Sequence, residues 1–346
     1  HGLARSLNAA GAHVLGLRMP GHGTAPSGLV EVEWQDMVAA VPLAMRHLAD
    51  QLGDRPLYIV GYSTGAALAV NYALAALTDE RLPRAERLAM LSPAIGVTGV
   101  AALAVWQARL GHLLGLEKLA WNAIQLEYDP FKYGSFAVNA GDLVYQLTRE
   151  IQERITSLQP SGDLHHIPRI LAFSSVVDAT VSTLALIESL FERLPAGGHE
   201  LVLFDVNREA ENEALLVWDP SAVVEALRRD TAREFALSIV TNEAQGSHAV
   251  TVRTRHPGDA DVSDTSLGLS WPDGLYSLSH VALPFAADDP LYGDFAPRDT
   301  PGIHLGAMAL RGERGVLGVS ASEMLRLRWN PFYPYVERRV HDFLGL

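Results

Sequence analysis

The sequence predicts an α/β protein: a mostly parallel sheet flanked by helices, with a helical cap inserted between two of the strands. Three observations carry that prediction. Short apolar runs alternate with helix-length segments over the first hundred residues. A long stretch without strand-like alternation follows, from Val97 to about Pro160, and the strand–helix alternation then resumes at Arg169. Strands separated by helices of this length pair in parallel, through crossover connections.

Taken in order, Leu3–Ala10 reads as a helix closed by Gly11, and Ala12–Leu17 as a short buried strand. A Pro20-Gly21-His22-Gly23 turn follows, then a helix from about Trp34 to Leu52 that Pro42 interrupts. Leu57–Val60 is the next strand, Ala66–Val70 opens another helix, and Leu88–Leu91 is a third strand. Between Arg87 and Arg109 lie 21 uncharged positions, the length of a membrane span. Ser92-Pro93, Gly96 and Gly99 break that run into a buried strand and the start of an apolar helix. The stretch to Pro160 reads as mostly helical and is rich in aromatic residues. Trp106, Leu110, Leu113 and Leu114 recur at helical spacing and give one apolar face. The cap is therefore placed at 97–164 and the core at 1–96 and 165–346. Strand Arg169–Phe173, helix Thr183–Leu194 and strand Glu200–Phe204 resume the sheet. Beyond them come a helix over Pro220–Arg233, strand-like runs Phe235–Thr241 and Ala249–Arg255, a loop over Pro257–Ser266, and an amphipathic helix within Pro331–Leu346.

Composition narrows the function. With 346 residues, 48% of them hydrophobic and 19% charged, the chain can bury a large core. A net charge of −13 argues against a nucleic-acid partner, which needs a basic face. The absence of cysteine excludes a thiolate nucleophile, a disulfide framework and any Cys-ligated metal. His165-His166 lacks an HExxH context, Asp288-Asp289 with Asp294 lacks the twelve-residue calcium loop, and Gly21–Pro26 lacks the third glycine of a dinucleotide fingerprint. No metal or cofactor is expected. The chain opens on His1 rather than Met and reads as starting inside a longer sequence.

The chemistry concentrates at Gly61-Tyr62-Ser63-Thr64-Gly65, a G-x-S-x-G run between an apolar strand and a small-residue helix. A serine on so sharp a strand-to-helix turn is strained, so glycines two before and two after are expected to avoid collisions. The turn aims the hydroxyl out of the sheet and sets the Thr64 N–H beside it at a helix N-terminus, where it can stabilise an oxyanion.

With this elbow and Leu17-Arg18-Met19-Pro20-Gly21-His22-Gly23-Thr24, which looks like a D-x-P-G-H-G loop with Arg18 in the acidic position, the chain resembles the α/β-hydrolase superfamily. The likeness is to its monoglyceride lipase, lysophospholipase and carboxylesterase-like group, including S33-type serine aminopeptidases. It covers roughly 1–100 and 165–206; the last 140 residues match loosely. The resemblance implies that the loop holding His22 is structural and lies near the pocket.

A serine nucleophile needs a base and an orienting carboxylate, in the chain order Ser, acid, His. Asp178 follows strand Arg169–Phe173, and Asp178-Ala179-Thr180-Val181 resembles the group's D-x-x-V acid turn. A helix N-cap is the bland alternative for it, and Asp205 is the second candidate acid. His248, His256, His280, His304 and His341 are the candidate bases. His280 is preferred, because Tyr276–Pro284 is rich in small and apolar residues that desolvate an imidazole, whereas His248 and His256 fall in solvated turns. The 102-residue gap from Asp178 implies an insertion between about Val206 and Trp271. The family's second oxyanion donor follows a His-Gly pair; His1-Gly2 offers Leu3 for that role. Tyr62 and Trp106 are the expected substrate contacts.

These readings predict a lipase- or esterase-like serine hydrolase: a Ser63–His280–Asp178 triad acting on a small-molecule acyl ester, with an apolar cap face able to touch a membrane surface. Two alternatives stay open. One is a catalytically silent protein binding a hydrophobic ligand or partner. The other is a peptidase of the same fold, with Glu127 and Asp129 available to a substrate amine.

Overall fold

The computed structural model describes residues 1–96, 120–209, 219–294, 305 and 326–346. Its elements are α1 (Gly2–Ala9), α2 (Gly28–Glu31), α3 (Trp34–Leu52), β1 (Tyr58–Tyr62), α4 (Thr64–Ala75), β2 (Arg87–Leu91), β3 (Trp121–Ala123), β4 (Phe136–Ala137), α5 (Val138–Leu158), β5 (Arg169–Ser175), α6 (Thr183–Ser189), β6 (Glu200–Phe204), α7 (Ser221–Arg229), β7 (Ala236–Asn242), β8 (Ala249–Arg255), β9 (Ser263–Ser270) and α8 (Tyr333–Leu344). Seven strands form one sheet in the order β1-β2-β5-β6-β7-β8-β9. The first five run parallel, and β8 and β9 turn back antiparallel.

Both faces of the sheet are covered, so its central strands are apolar throughout rather than alternating with polar residues. Successive side chains feed opposite layers. Leu88, Met90, Ile170, Ala172, Leu201 and Leu203 pack with α3, α4 and α5. Ala89, Leu91, Leu171, Phe173, Val202 and Phe204 pack with α1, α8 and Trp271. α4 is buried on nearly every side, Ala66 to Leu74, because its small residues let it lie close against the sheet.

Several sequence expectations are corrected. Ala12–Leu17 is not a strand: Val14, Leu15 and Leu17 are 38–42% exposed. An apolar run becomes a strand only with a ladder partner, and among the described residues this one has none. Pro42 does not interrupt α3. The capping box of Glu33 and Asp36 starts the helix, and Met37, Val41 and Met45 bury one face on both sides of the proline, outweighing its missing N–H. The stretch before Pro160 is not uniformly helical, since β3 and β4 pair as a short antiparallel ribbon ahead of α5. α5 itself buries Leu143, Leu147, Ile151 and Ile155 in the core beneath α4. The supposed loop over Pro257–Ser266 contains the start of β9, whose register is set by pairing with β8. The proposed helical face at Trp106–Leu114 lies outside the described residues. Among those described, no helix is long and apolar enough to cross a membrane.

At the amino-terminal end of the sheet, His199 is buried with its Nδ1 accepting the Ile170 N–H at 3.2 Å. Burial, reinforced by the nearby Arg169 guanidinium, holds its pKa down at about 4 rather than 6.5. Below pH 6.5 the unfolded ring takes a proton that the folded ring refuses until about pH 4. Stability is therefore full above that window and falls through it, by up to about 3 kcal/mol. Denaturant melts taken from neutral pH to about pH 4 are expected to show this slope, and His199→Gln to flatten it.

Candidate active site

Four strand ends build the site. The ladder runs one residue past each strand, with Ser63 N–H donating to Leu91 O, Ser92 N–H to Phe173 O, Val176 N–H to Phe204 O and Asp205 N–H to Val240 O. The chain then breaks upward, and the polar side chains gather at this carboxyl edge.

Ser63 caps α4 with φ 53° and ψ −121°, a backbone region that few non-glycine residues enter. The glycines around it differ in what they do. A Cβ on Gly61 would lie 2.6 Å from Ala66 Cα, so glycine is required there; one on Gly65 meets nothing within 4 Å. The expectation that both were needed to avoid collision is corrected for Gly65. As the first residue of α4, Thr64 has an N–H with no acceptor inside the helix, beside Ser63 at the positive end of the helix dipole.

The His280 ring lies between the other two members, with Nε2 2.9 Å from Ser63 Oγ and Nδ1 2.7 Å from Asp178 Oδ2. A carboxylate only accepts, so Nδ1 carries the proton and Nε2 is free to accept from the serine hydroxyl. Both side chains are nearly sealed, His280 5% and Asp178 0% exposed. Asp178 is fixed by its own turn: Oδ1 accepts the N–H groups of Thr180 (2.8 Å) and Val181 (2.9 Å), leaving Oδ2 for the imidazole. It does not cap the following helix; Ser182 does. Asp205 is occupied elsewhere, bonded to Arg208, Thr241 Oγ1 and Val206 N–H.

The loop that delivers His280 is anchored by residues that motif reading missed. Asn207 donates from its backbone to Tyr276 O and from its side chain to Leu275 O, and Asn242 braces Asn207. Asn330 holds the far side through Leu283 O and Phe285 O. Ser92 and Tyr62 hydroxyls donate to the His280 carbonyl, at 3.2 and 3.5 Å. Burial pushes the Tyr62 phenol up, keeping it a donor. Its hydroxyl is thus turned toward the His280 backbone, with the ring tilted against the imidazole. Ser92 and Asn330 each precede a proline, which marks a loop boundary but not a buried bond, and Asn207 and Asn242 carry no such mark.

The remaining candidates lie elsewhere. His248 is paired with Glu209 and the Trp271 carbonyl at a hairpin, His256 is exposed, and His341 bonds Ser6. His304 and Trp106 lie outside the described residues. Leu3 sits in the first turn of α1 with its side chain in the core, so only its backbone N–H could face a ligand. Glu127 accepts the Gly134 and Ser135 N–H groups, while Asp129 takes Phe131 N–H, Lys132 N–H and the Tyr292 hydroxyl. Among the described residues no cluster of three or more His, Cys, Asp or Glu could hold a metal ion.

A family model described as serine aminopeptidase, S33, matches residues 1–206, a span that includes Ser63 and Asp178 but ends before His280. No curated relative matches the chain significantly. Among solved structures, one described with the metagenome-derived lipolytic enzymes LipS and LipT is 18% identical, covering 66% of this chain and 86% of that one, with TM-score 0.42. The monoacylglycerol lipase of Paleococcus ferrophilus is 17% identical over 59% of this chain and 77% of its own, with TM-score 0.41. A soluble variant of the Saccharomyces cerevisiae monoglyceride lipase is 13% identical over 54% and 66%, with TM-score 0.36. Likeness at this level fixes no activity.

Proposed function

This chain belongs to the serine aminopeptidase S33 family of α/β-hydrolases, and from that membership we propose that it is a serine hydrolase cleaving carboxylic esters through an acyl-enzyme. The observation that carries the reading is the continuous relay from Ser63 Oγ through the His280 ring to Asp178, sealed from water on the His280–Asp178 side.

In the proposed reaction Ser63 Oγ adds to the ester carbonyl carbon while its proton passes to His280 Nε2. Asp178 holds the ring and balances the imidazolium that forms. The carbonyl oxygen becomes an oxyanion facing the Thr64 N–H at the start of α4. As the tetrahedral adduct collapses, the C–O bond to the alcohol breaks and the alcohol takes the proton from Nε2, leaving acyl-Ser63. Water then adds to the acyl carbon, giving its proton to Nε2, and Ser63 departs with that proton, releasing the acid. No cofactor enters the cycle.

An ester is favoured over a peptide amino terminus because the carboxylates of Glu127 and Asp129 are already spent on backbone amides and Tyr292. A substrate ammonium would have to share these carboxylates with the bonds that hold the 127–135 loop together. The test is a series of p-nitrophenyl esters of increasing acyl length beside aminoacyl p-nitroanilides. Saturable turnover of esters, exceeding that of every anilide, is expected. Faster cleavage of an anilide would instead favour the peptidase, and turnover of neither would favour a binding protein.

A further inference from the structure

We infer that Ser92 is a positioning residue for the base, and that its hydroxyl sets the height of the His280 ring over Ser63; this rests on the proposed hydrolase reading. Ser92 follows β2 directly and is 1% exposed. With φ 45°, it and Ser63 are the non-glycine residues at positive φ among those described. A glycine would adopt this conformation without strain. A side chain kept at such a φ is over-determined by its surroundings and points to a use for the group it carries. Among the described residues the hydroxyl has one partner. Its Oγ donates to the His280 carbonyl at 3.2 Å, in a buried setting where an unpaired carbonyl is costly.

The same turn grips the nucleophile. Ala94 N–H donates to the Ser63 carbonyl at 3.1 Å, and Ser63 N–H donates to Leu91 O at 3.0 Å. Residues 91–94 therefore hold the backbone of Ser63 and, through one hydroxyl, the backbone of His280, which is 217 positions from Ser63 in sequence. Among the described residues, other anchors of the His280 loop act beside that residue: Asn207 at Leu275–Tyr276, the Ser279 hydroxyl on Leu327 O, and Asn330 at Leu283–Phe285. Ser92, with the longer Tyr62 contact in support, acts on the histidine's own peptide unit. Removing the hydroxyl should let that unit, and the Nε2–Oγ distance, drift.

Two substitutions separate positioning from stability. Ser92→Ala removes the hydroxyl and keeps the backbone strain, whereas Ser92→Gly removes both. The readouts are kcat and KM on a p-nitrophenyl ester, the rate of Ser63 modification by a fluorophosphonate probe, and Tm. Both variants are expected to lose roughly tenfold to a hundredfold in kcat and labelling rate, with KM unchanged, although the glycine variant melts no lower than wild type. Wild-type rates in Ser92→Gly, or losses that follow Tm across the two variants, would overturn the positioning role while leaving the hydrolase reading intact. A wild type that neither labels nor turns over would defeat that reading and this role with it.

Discussion

Ser63→Ala and His280→Ala are each expected to lower kcat for ester hydrolysis by about 10⁴- to 10⁶-fold, and the double variant by no more than the worse single one. The serine hydroxyl is a weak nucleophile until Nε2 takes its proton, and the later proton transfers through Nε2 act only on adducts that Ser63 has formed; removing either atom stops the same sequence of steps. Ser63→Ala should melt as wild type does, because alanine inherits the strained turn without changing it. His280→Ala leaves Asp178 Oδ2 buried without its partner, so a loss of about 1–3 kcal/mol in stability accompanies the loss of rate. Measuring kcat beside a denaturant melt separates the two effects. His248→Ala is the control: it sits at a hairpin, with its side chain 37% exposed, and should leave kcat unchanged. A dead His248→Ala would move the base assignment to the hairpin between β7 and β8.

The two carboxylates at the sheet edge should part company in the same assays. Asp178→Asn keeps an oxygen for the Thr180 and Val181 amides but turns an NH₂ toward His280 Nδ1. The ring must then accept at Nδ1 and carry its proton on Nε2, where it can no longer accept from Ser63. A loss near 10⁴-fold in kcat is expected, with the fold intact. Asp205→Asn is predicted to do the reverse. It halves a buried pairing with Arg208 and weakens the bond to Thr241, costing about 2–4 kcal/mol of stability while kcat is retained. If Asp205→Asn were inactive and Asp178→Asn active, the acid would belong one strand further along the sheet.

The sequence was informative where a local rule forces a residue type. Gly61 must be glycine because Ala66 occupies the space of its Cβ, and that demand is visible as a pattern between strand and helix. Asp178 is legible for a similar reason: the turn that closes on its Oδ1 needs a short side chain with an oxygen at that place, and the contact to His280 makes it a carboxylate. Long-range demands left fainter traces. β9 is largely exposed and polar, Ser263 to Ser266 included, so only its partner β8 makes it a strand. Ala12–Leu17 shows the converse, an apolar run with strand character and no partner among the described residues. The gap before His280 implies an insertion, and the structure fills it largely with α7 and strands β7 to β9, which extend the sheet. Ser92, Asn207 and Asn330 were missed because a single polar residue in a buried setting has no pattern in one sequence; its meaning comes from the carbonyl it faces.

The most direct test of the central claim is peptide mapping after the folded protein reacts with a fluorophosphonate. One covalent adduct is predicted, on Ser63, formed quickly in the wild type and absent from His280→Ala. An unmodified protein, or an adduct carried by a different serine, would contradict the account.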